Sequence, residues 1–492
     1  MRIRSFSVYD MMARNARVAG DDVAVREGDT TITFSAFQGE VDRLAAGLSR
    51  QGVGRGDRLA ILAMNHSGFL ALFGAAAALG AIVVPVNWRL ADEEIGYIFS
   101  DCDPRMVFAD AAHADRVREL APERPLHRIE DLSALHGDGP PPLAEATGDD
   151  AFCIIYTAAV EGKPRGAVLT HGNLIAANMQ TIATMGMSRS DAYLNMLPMF
   201  HITGLNLAMA VMHAGGKNVV VEKFDEKQVV EQTAAEQITV WGCFPPMLAR
   251  LNEAMADGAA DVSSLRFALG LDGPDNIRPF EERTGATFWM LYGQTETSGL
   301  VTFGPALEKP GSAGRQGLLT RFRLVDEGEN EVPLGEPGEI VVQGPLVFQG
   351  FWNQPETNRY TFRNGWHHTG DMGALDADGY LFFKGRKPEK ELIKPGGENV
   401  YPAEVEAVIL EHPDVVEVSV IGVPDAKFGE GIKAVCVLRK GANLTLDALA
   451  EFVASRIARY KKPRYAEFVS ELPKTPDGKI DREAVKAAHG GS

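Results

Sequence analysis

The chain has 492 residues, of which 45% are hydrophobic and 23% charged, the profile of a soluble globular protein too long for one core. Its formal net charge of -17 argues against a nucleic-acid or anionic-membrane surface, which needs a basic footprint, while a small anionic ligand answers only to local fields. The four cysteines, Cys102, Cys153, Cys243 and Cys436, form no CxxC pair, so neither a zinc site nor a disulfide framework is expected and a reducing, cytoplasmic compartment fits.

The N-terminal stretch MRIRSFSVYDMMARNARVAG carries arginines but no apolar core or cleavage pattern of a secretory leader. VDRLAAGLSRQGVGRGDRLAILAMN reads as helix, glycine-rich turn and strand. FLALFGAAAALGAIVVPV is the most apolar run, but Gly74, Gly80 and Pro85 interrupt it, so it reads as a buried helix entering a buried strand, with no transmembrane segment. DEKQVVEQTAAEQITVWGCF again reads as helix then strand, and this alternation predicts an α/β fold with largely parallel layered sheets. From Arg315 the texture changes. FRLVDEGENEVPLGEPGEIVVQG and GWHHTGDMGALDADGYLFF have short apolar runs punctuated by Gly, Pro and Asp-Gly turns, which predicts a small antiparallel β unit. After the polar, proline-bearing KGRKPEKELIKPGGENVYP a compact α+β pattern restarts with AEVEAVILEH, VVEVSVIGV, IKAVCVLRK and LDALAEFVASRI. We therefore expect a large N-terminal domain over 1–385, a hinge over 386–390 and a small C-terminal domain over 391–492, the last a normal domain size of about 100 residues.

Five separated stretches carry the chemistry: YTAAVEGKPRG (156–166), YGQTE (292–296), HHTGD (367–371), the linker start at Gly385-Arg386, and PKTPDGKIDR (473–482). In this order they resemble the adenylate-forming superfamily, in particular its AMP-forming acyl-CoA synthetases. NWRL (87–90), LPMFHITG (197–204) and GGENVYPAEVE (396–406) extend the likeness over nearly the whole chain.

The resemblance implies two half-reactions. A carboxylate attacks the α-phosphorus of ATP and expels diphosphate. The thiolate of coenzyme A then attacks the acyl-adenylate and expels AMP. Lys479, behind a glycine in a Pro-Asp-Gly turn, is the implied adenylation lysine; Thr295 offers a hydroxyl to the α-phosphate and Glu296 a hard oxygen to Mg2+. Thr157, Gly162 and Lys163 fall on the phosphate side, with Gly293 and Gln294 beside the nucleotide. Tyr292 offers a ring to adenine, Asp371 accepts from the ribose hydroxyls, and Arg386 adds a ribose or phosphate contact. The resemblance further implies that the small domain is mobile and swings between the half-reactions on Lys387 or Lys390, with Lys390 preferred, so that Lys479 leaves and Gly396 and Gly397 let the arm of coenzyme A pass.

The acid pocket is expected from parts of 200–206, 241–247, 270–273 and 298–301, with His201, Trp241, Phe244, Gly270, Leu271 and Leu300 as wall, and Asp272 and Gly273 beside adenine or a polar group of the acid. No Asp stands in Pro198-Met199-Phe200-His201 to meet an amino-acid ammonium, and the chain ends soon after Lys479, leaving no room for a carrier domain; both point to a free-standing ligase. Leu271 stands where the family has a small residue, which favours a short, medium-chain or aromatic acid over a very long one. The partners are thus a carboxylic acid, ATP and coenzyme A, with a homodimer left open.

Two departures stand out. The linker stretch RKPEKELIK is longer than the family's RxKELIK, with Pro388 inside. In the phosphate loop, Ala158-Ala159-Val160-Glu161 replaces the family's Ser-Gly-Thr-Thr, which removes three hydroxyl donors and adds a carboxylate. A like-charge pair at ~4 Å and an effective dielectric of ~20 costs roughly 4 kcal/mol. Two alternatives to an active synthetase therefore stay open: an adenylate-binding homologue without turnover, and an adenylating enzyme with a non-CoA acceptor.

Overall fold

The computed structural model describes residues 6–157, 163–256, 258, 260–387, 392–475 and 479–491. Two large sheets dominate. In the seven-stranded sheet, Arg58–Leu62 runs parallel to both Ile82–Pro85 and Met106–Ala109, and Ala151–Thr157 turns back antiparallel into Arg165–Thr170. In the nine-stranded sheet, Ala192–Asn195, Val240–Cys243, Phe267–Gly270 and Thr287–Tyr292 lie side by side and parallel.

Strand alternation sorts side chains into separate cores. Leu59 and Ile61 face a central core that also takes Tyr193, Val240 and Leu269 from the other sheet, while Ala60 and Leu62 face an outer core. Helices fill the space between the sheets. The apolar run forms the helix Ser67–Leu79, closed by Gly80 at φ 67° and followed by the strand Ile82–Pro85. Every residue of that helix from Gly68 onward is buried, which explains its all-round apolarity. Among the described residues, no helix is long and apolar enough to cross a membrane.

The expected antiparallel unit is a four-stranded sheet containing Arg321–Val325, Gly338–Gln343, His367–Leu375 and Leu381–Arg386. The Asp-Gly turn closes it: Asp376 N–H donates to Tyr380 O at 3.1 Å, and Gly379 has φ 79°. The described residues up to 387 form the large body, and residues 393–475 and 479–489 build a second, C-terminal body with its own apolar clusters, in which Val415–Asp425 and Gly429–Leu438 pair antiparallel and Tyr465–Val469 adds a parallel strand.

Candidate active site

One cleft of about 1040 Å3 opens where the parallel strands of the nine-stranded sheet end. Phe244, Leu271 and Gly293, each the first residue beyond such a strand, line it, as expected for ligands outside the carboxyl ends of parallel strands. Gly293 is obligatory there, because a Cβ would lie 2.1 Å from Gly299 O; the turn through Thr295–Thr297 folds directly onto it.

The antiparallel sheet closes a second wall with Asp371 and Arg386. Asp371 is buried and held from three directions. Its Oδ2 accepts from Tyr292 Oη at 2.9 Å and Gln294 Nε2 at 2.7 Å, and its Oδ1 pairs with Arg386 Nε at 2.8 Å. Burial, then the Asp371 charge, pushes the Tyr292 phenol well above its ordinary range, so it stays a neutral donor. Behind this wall Glu339 braces the strand. It accepts from Gly370 N at 3.0 Å and pairs with His368 Nδ1 at 3.1 Å, Lys387 Nζ at 2.7 Å and Arg363 Nη2 at 3.3 Å. Burial alone would push its carboxyl up, but the hydrogen bonds and charges of His368 and Lys387 outweigh this and hold it at about 2. The stability this confers is complete above the unfolded value of about 4.5 and is lost as pH falls toward about 2. Glu339→Gln is expected to cost about 2 kcal/mol at neutral pH and to make stability less steep in acid, measured by denaturant midpoints between pH 7 and pH 3.

The third wall comes from the C-terminal body. Gly396 and Gly397 line the cleft at φ 61° and 85°, with Glu398 and Tyr401 beside them. Glu398 reaches across to the large body, pairing with Arg89 Nη1 and lying 3.8 Å from His201 Nε2. Burial would raise its carboxyl, but His201 and Arg89 hold it below the usual range.

Of the residues expected from sequence, Thr157, Tyr292, Gly293, Gln294, Thr295, Glu296, Asp371, Arg386, Gly396 and Gly397 share this cleft, as do His201, Phe244 and Leu271. Others do not line it. Trp241 points to the opposite face of its strand, where its Nε1 donates to Thr233 Oγ1 at 3.0 Å and its ring packs on Phe280. Gly270 is a packing glycine, since a Cβ would lie 1.7 Å from Cys243 O. Leu300 belongs to the central core and borders only a small cavity beside the cleft.

Asp272 turns to its own chain, accepting from Gly273 N at 2.8 Å and Asn276 Nδ2 at 2.7 Å, so neither Asp272 nor Gly273 borders the cleft; burial raises the Asp272 carboxyl. Lys163 is exposed, with its ammonium 5.4 Å from the Tyr97 ring centroid, and Arg165, at the start of the following strand, lines the cleft in its place. Lys479 is exposed, its carbonyl oxygen accepting from Thr475 N–H at 2.8 Å, and it does not line the cleft. Lys387 is tied to the large body by Glu339 and by its own N–H to Gly370 O at 2.9 Å. Gly162, Lys390 and the segment Ala158-Ala159-Val160-Glu161 lie outside the described residues.

The structure adds cleft residues that sequence reasoning passed over: Arg89, Lys394, Glu398 and Glu430. Burial, then the Arg386 charge, lowers Lys394 to about 8. Its signal in the sequence is the lysine of ELIKPGG, which local pattern does not distinguish from the linker lysines before it. Glu296 and Thr295 lie together in the wall. Among the described residues no group of three or more His, Cys, Asp or Glu could hold a metal ion, so the donor set fits only a cation that brings most of its oxygens with a nucleotide and water.

Residues 12–352 match the AMP-binding enzyme family, and residues 404–479 match the AMP-binding enzyme C-terminal domain. The chain belongs to this family. Within it, the protein is an AMP-forming acyl-CoA synthetase, an acid–thiol ligase that uses ATP and coenzyme A. It is 35% identical over 483 residues to a feruloyl-CoA synthase from Amycolatopsis sp, covering 97% of this chain and 98% of that one. It is 34% identical to an indoleacetate–CoA ligase from Aromatoleum aromaticum, with 96% of each chain covered. Among solved structures, an o-succinylbenzoate CoA synthetase from Bacillus subtilis bound to a product analogue superposes with a TM-score of 0.88 at 28% identity, covering 98% of both chains. An amide bond synthetase from Marinactinospora thermotolerans gives the same TM-score of 0.88 at 25% identity, covering 99% of this chain and 100% of that one.

Proposed function

We propose that this ligase activates an aromatic or short-to-medium-chain carboxylic acid and delivers it to coenzyme A, with a small C-terminal domain (391–492) turning on the 386–390 linker between the two steps. The observation that carries this reading is the pairing of positions. Gly396 and Gly397 stand at the cleft that holds Thr295, Glu296 and Asp371, while Lys479 stands outside it. That is the arrangement required after adenylation, when the lysine has left and a thiol must enter.

Each step then has its groups. In the first, a carboxylate oxygen bonds to the α-phosphorus as the bond to diphosphate breaks, and Lys479 and Thr295 stabilise the charge on the transferring group. Glu296 would hold a Mg2+ ion bound with the nucleotide, which would supply further charge neutralisation. Asp371, fixed by Tyr292, Gln294 and Arg386, receives the ribose. In the second, the thiolate sulfur bonds to the acyl carbon, the carbon–oxygen bond to AMP breaks, and AMP leaves. Removing the acyl oxygen as AMP rather than as oxide is what makes the thioester accessible.

A small cavity beside the cleft supports an acid class. Thr203 and Gly299 line both the cleft and an adjoining cavity of about 10 Å3. That volume holds one water or one hydroxyl. Asn206 borders it, buried, donating from Nδ2 to Ser298 O, with no hydrogen-bond partner on Oδ1 among the described residues. An unpaired buried acceptor costs about 1–3 kcal/mol, which a donor at the far end of the acid would recover. Hydroxylated aryl acids, or acids ending in an N–H, satisfy it. The relatives named for ferulate and indoleacetate handle acids of this kind.

A panel of carboxylic acids with ATP and coenzyme A, read as AMP release and thioester formation, tests the reading. A hydroxylated aryl acid should exceed its deoxy analogue by about tenfold or more in kcat/KM. Asn206→Leu should erase that preference while retaining turnover of the deoxy acid. Adenylation of no acid would leave an adenylate-binding protein, and adenylate formation without thioester, rescued by an amine acceptor, would favour the amide-forming alternative that the Marinactinospora structure represents.

A further inference from the structure

A second group of ionisable side chains is buried away from the cleft, where the C-terminal body meets the large one. Lys461, only 1% exposed, donates to Glu404 Oε1 at 2.5 Å and to Glu94 Oε1. Glu94 belongs to the helix Asp92–Cys102 of the large body, whereas Glu404 lies on the helix Pro402–Leu410 and Lys461 on the turn Arg459–Lys461, both in the C-terminal body. A second bond follows the same path: Ala458 N–H donates to Glu94 Oε2 at 3.3 Å. The same oxygen accepts Ala91 N–H at 2.8 Å and so closes the start of its own helix. None of Glu94, Glu404 and Lys461 lines the cleft.

We propose that Glu94 is a positioning residue for thioester formation: its pairing with Lys461 and Ala458 holds the C-terminal body in the orientation that brings Gly396 and Gly397 to the cleft. The arrangement of charge suits a contact that must open. Two carboxylates share one buried ammonium. Burial, opposed by the Lys461 charge and reinforced by Glu94, keeps the Glu404 carboxyl above the usual carboxylate range. When the bodies turn, Glu94 goes back to water while Lys461 keeps Glu404, so no cation is stranded in an apolar place. Breaking a buried pair is severe chiefly when it leaves an unpaired buried charge. A contact built this way holds one orientation without making departure from it prohibitive. The Arg89–Glu398 pair also crosses between the bodies, but it lies in the cleft wall, where positioning and ligand binding cannot be separated.

The inference rests on the two-step reading above, and the test separates the two. Glu94→Gln keeps an amide oxygen for Ala91 N–H and removes the charge that Lys461 meets. Diphosphate exchange should stay within about twofold of the parent, while single-turnover thioester formation from bound acyl-AMP falls by about tenfold or more. Because coenzyme A enters only in the orientation that Glu94 holds, the loss should be greatest at subsaturating coenzyme A, with the half-saturating concentration raised and part of the rate recovered at high coenzyme A. Glu94→Asp, which keeps the charge, should recover part of it. Equal loss in both half-reactions, or an undiminished thioester rate, would overturn the role of Glu94. A parent enzyme that makes neither adenylate nor thioester would overturn the ligase reading beneath it.

Discussion

Lys479→Ala is expected to lower adenylation by roughly 10³-fold and to leave thioester formation from supplied acyl-AMP near the parental rate. The first half follows from charge. The transferring α-phosphoryl group and the attacking carboxylate are both anionic, and a cation placed between them stabilises the transition state more than either reactant. The second half follows from position. With Gly396 and Gly397 in the cleft wall, Lys479 is exposed beside the Lys474–Ile480 bridge and does not line the cleft. Its removal therefore has no route to the second reaction in that orientation. Diphosphate exchange measures the first step, and acyl-AMP supplied with coenzyme A measures the second. Loss of both would contradict a reaction divided between two orientations.

The motifs were legible because their chemistry is local in sequence. YGQTE, HHTGD and GGENVYP each place several functional atoms within one turn or one strand end, and all three converge on the cleft. The layered α/β fold was legible for a related reason: period and turn residues are short-range signals. Which face of a strand a residue occupies was not. The strand Val240–Cys243 is covered on both sides, so its sequence is apolar throughout and gives no alternation to read. Trp241 therefore looked equally suited to the pocket and to the core it occupies.

Asp272 differs. An Asp followed by Gly-Pro at the start of the helix Pro274–Thr284 has donors in its own turn, and its Oδ1 accepts from Gly273 N and Asn276 Nδ2, which turns the side chain away from the cleft wall. The pairs that join the two bodies were the least legible. Arg89 and Glu398 are 309 residues apart, and Glu94 and Lys461 are 367 apart. Each reads alone as a solvated charge, and only the tertiary arrangement makes them partners.

Gly397→Leu is expected to give the opposite pattern to Lys479→Ala: thioester formation reduced by roughly 10²-fold, with adenylation within a few-fold of the parent. Two effects contribute and can be separated. At φ 85° any side chain is strained, by about 1–2 kcal/mol for an L-residue in the left-handed region. A Cβ alone has room, since its nearest neighbour would be Phe244 Cβ at 3.5 Å, an ordinary contact. Gly397→Ala therefore reports the strain, and the further loss in Gly397→Leu reports obstruction of the passage beside Phe244. The obstruction acts only while residues 396–397 face the cleft, which is why adenylation escapes it. A leucine variant that loses both half-reactions equally would make Gly397 a folding requirement and deny it a place on the path of coenzyme A. If the alanine variant keeps most of the thioester rate and the leucine variant does not, the narrowness of the backbone at this point is itself the functional property.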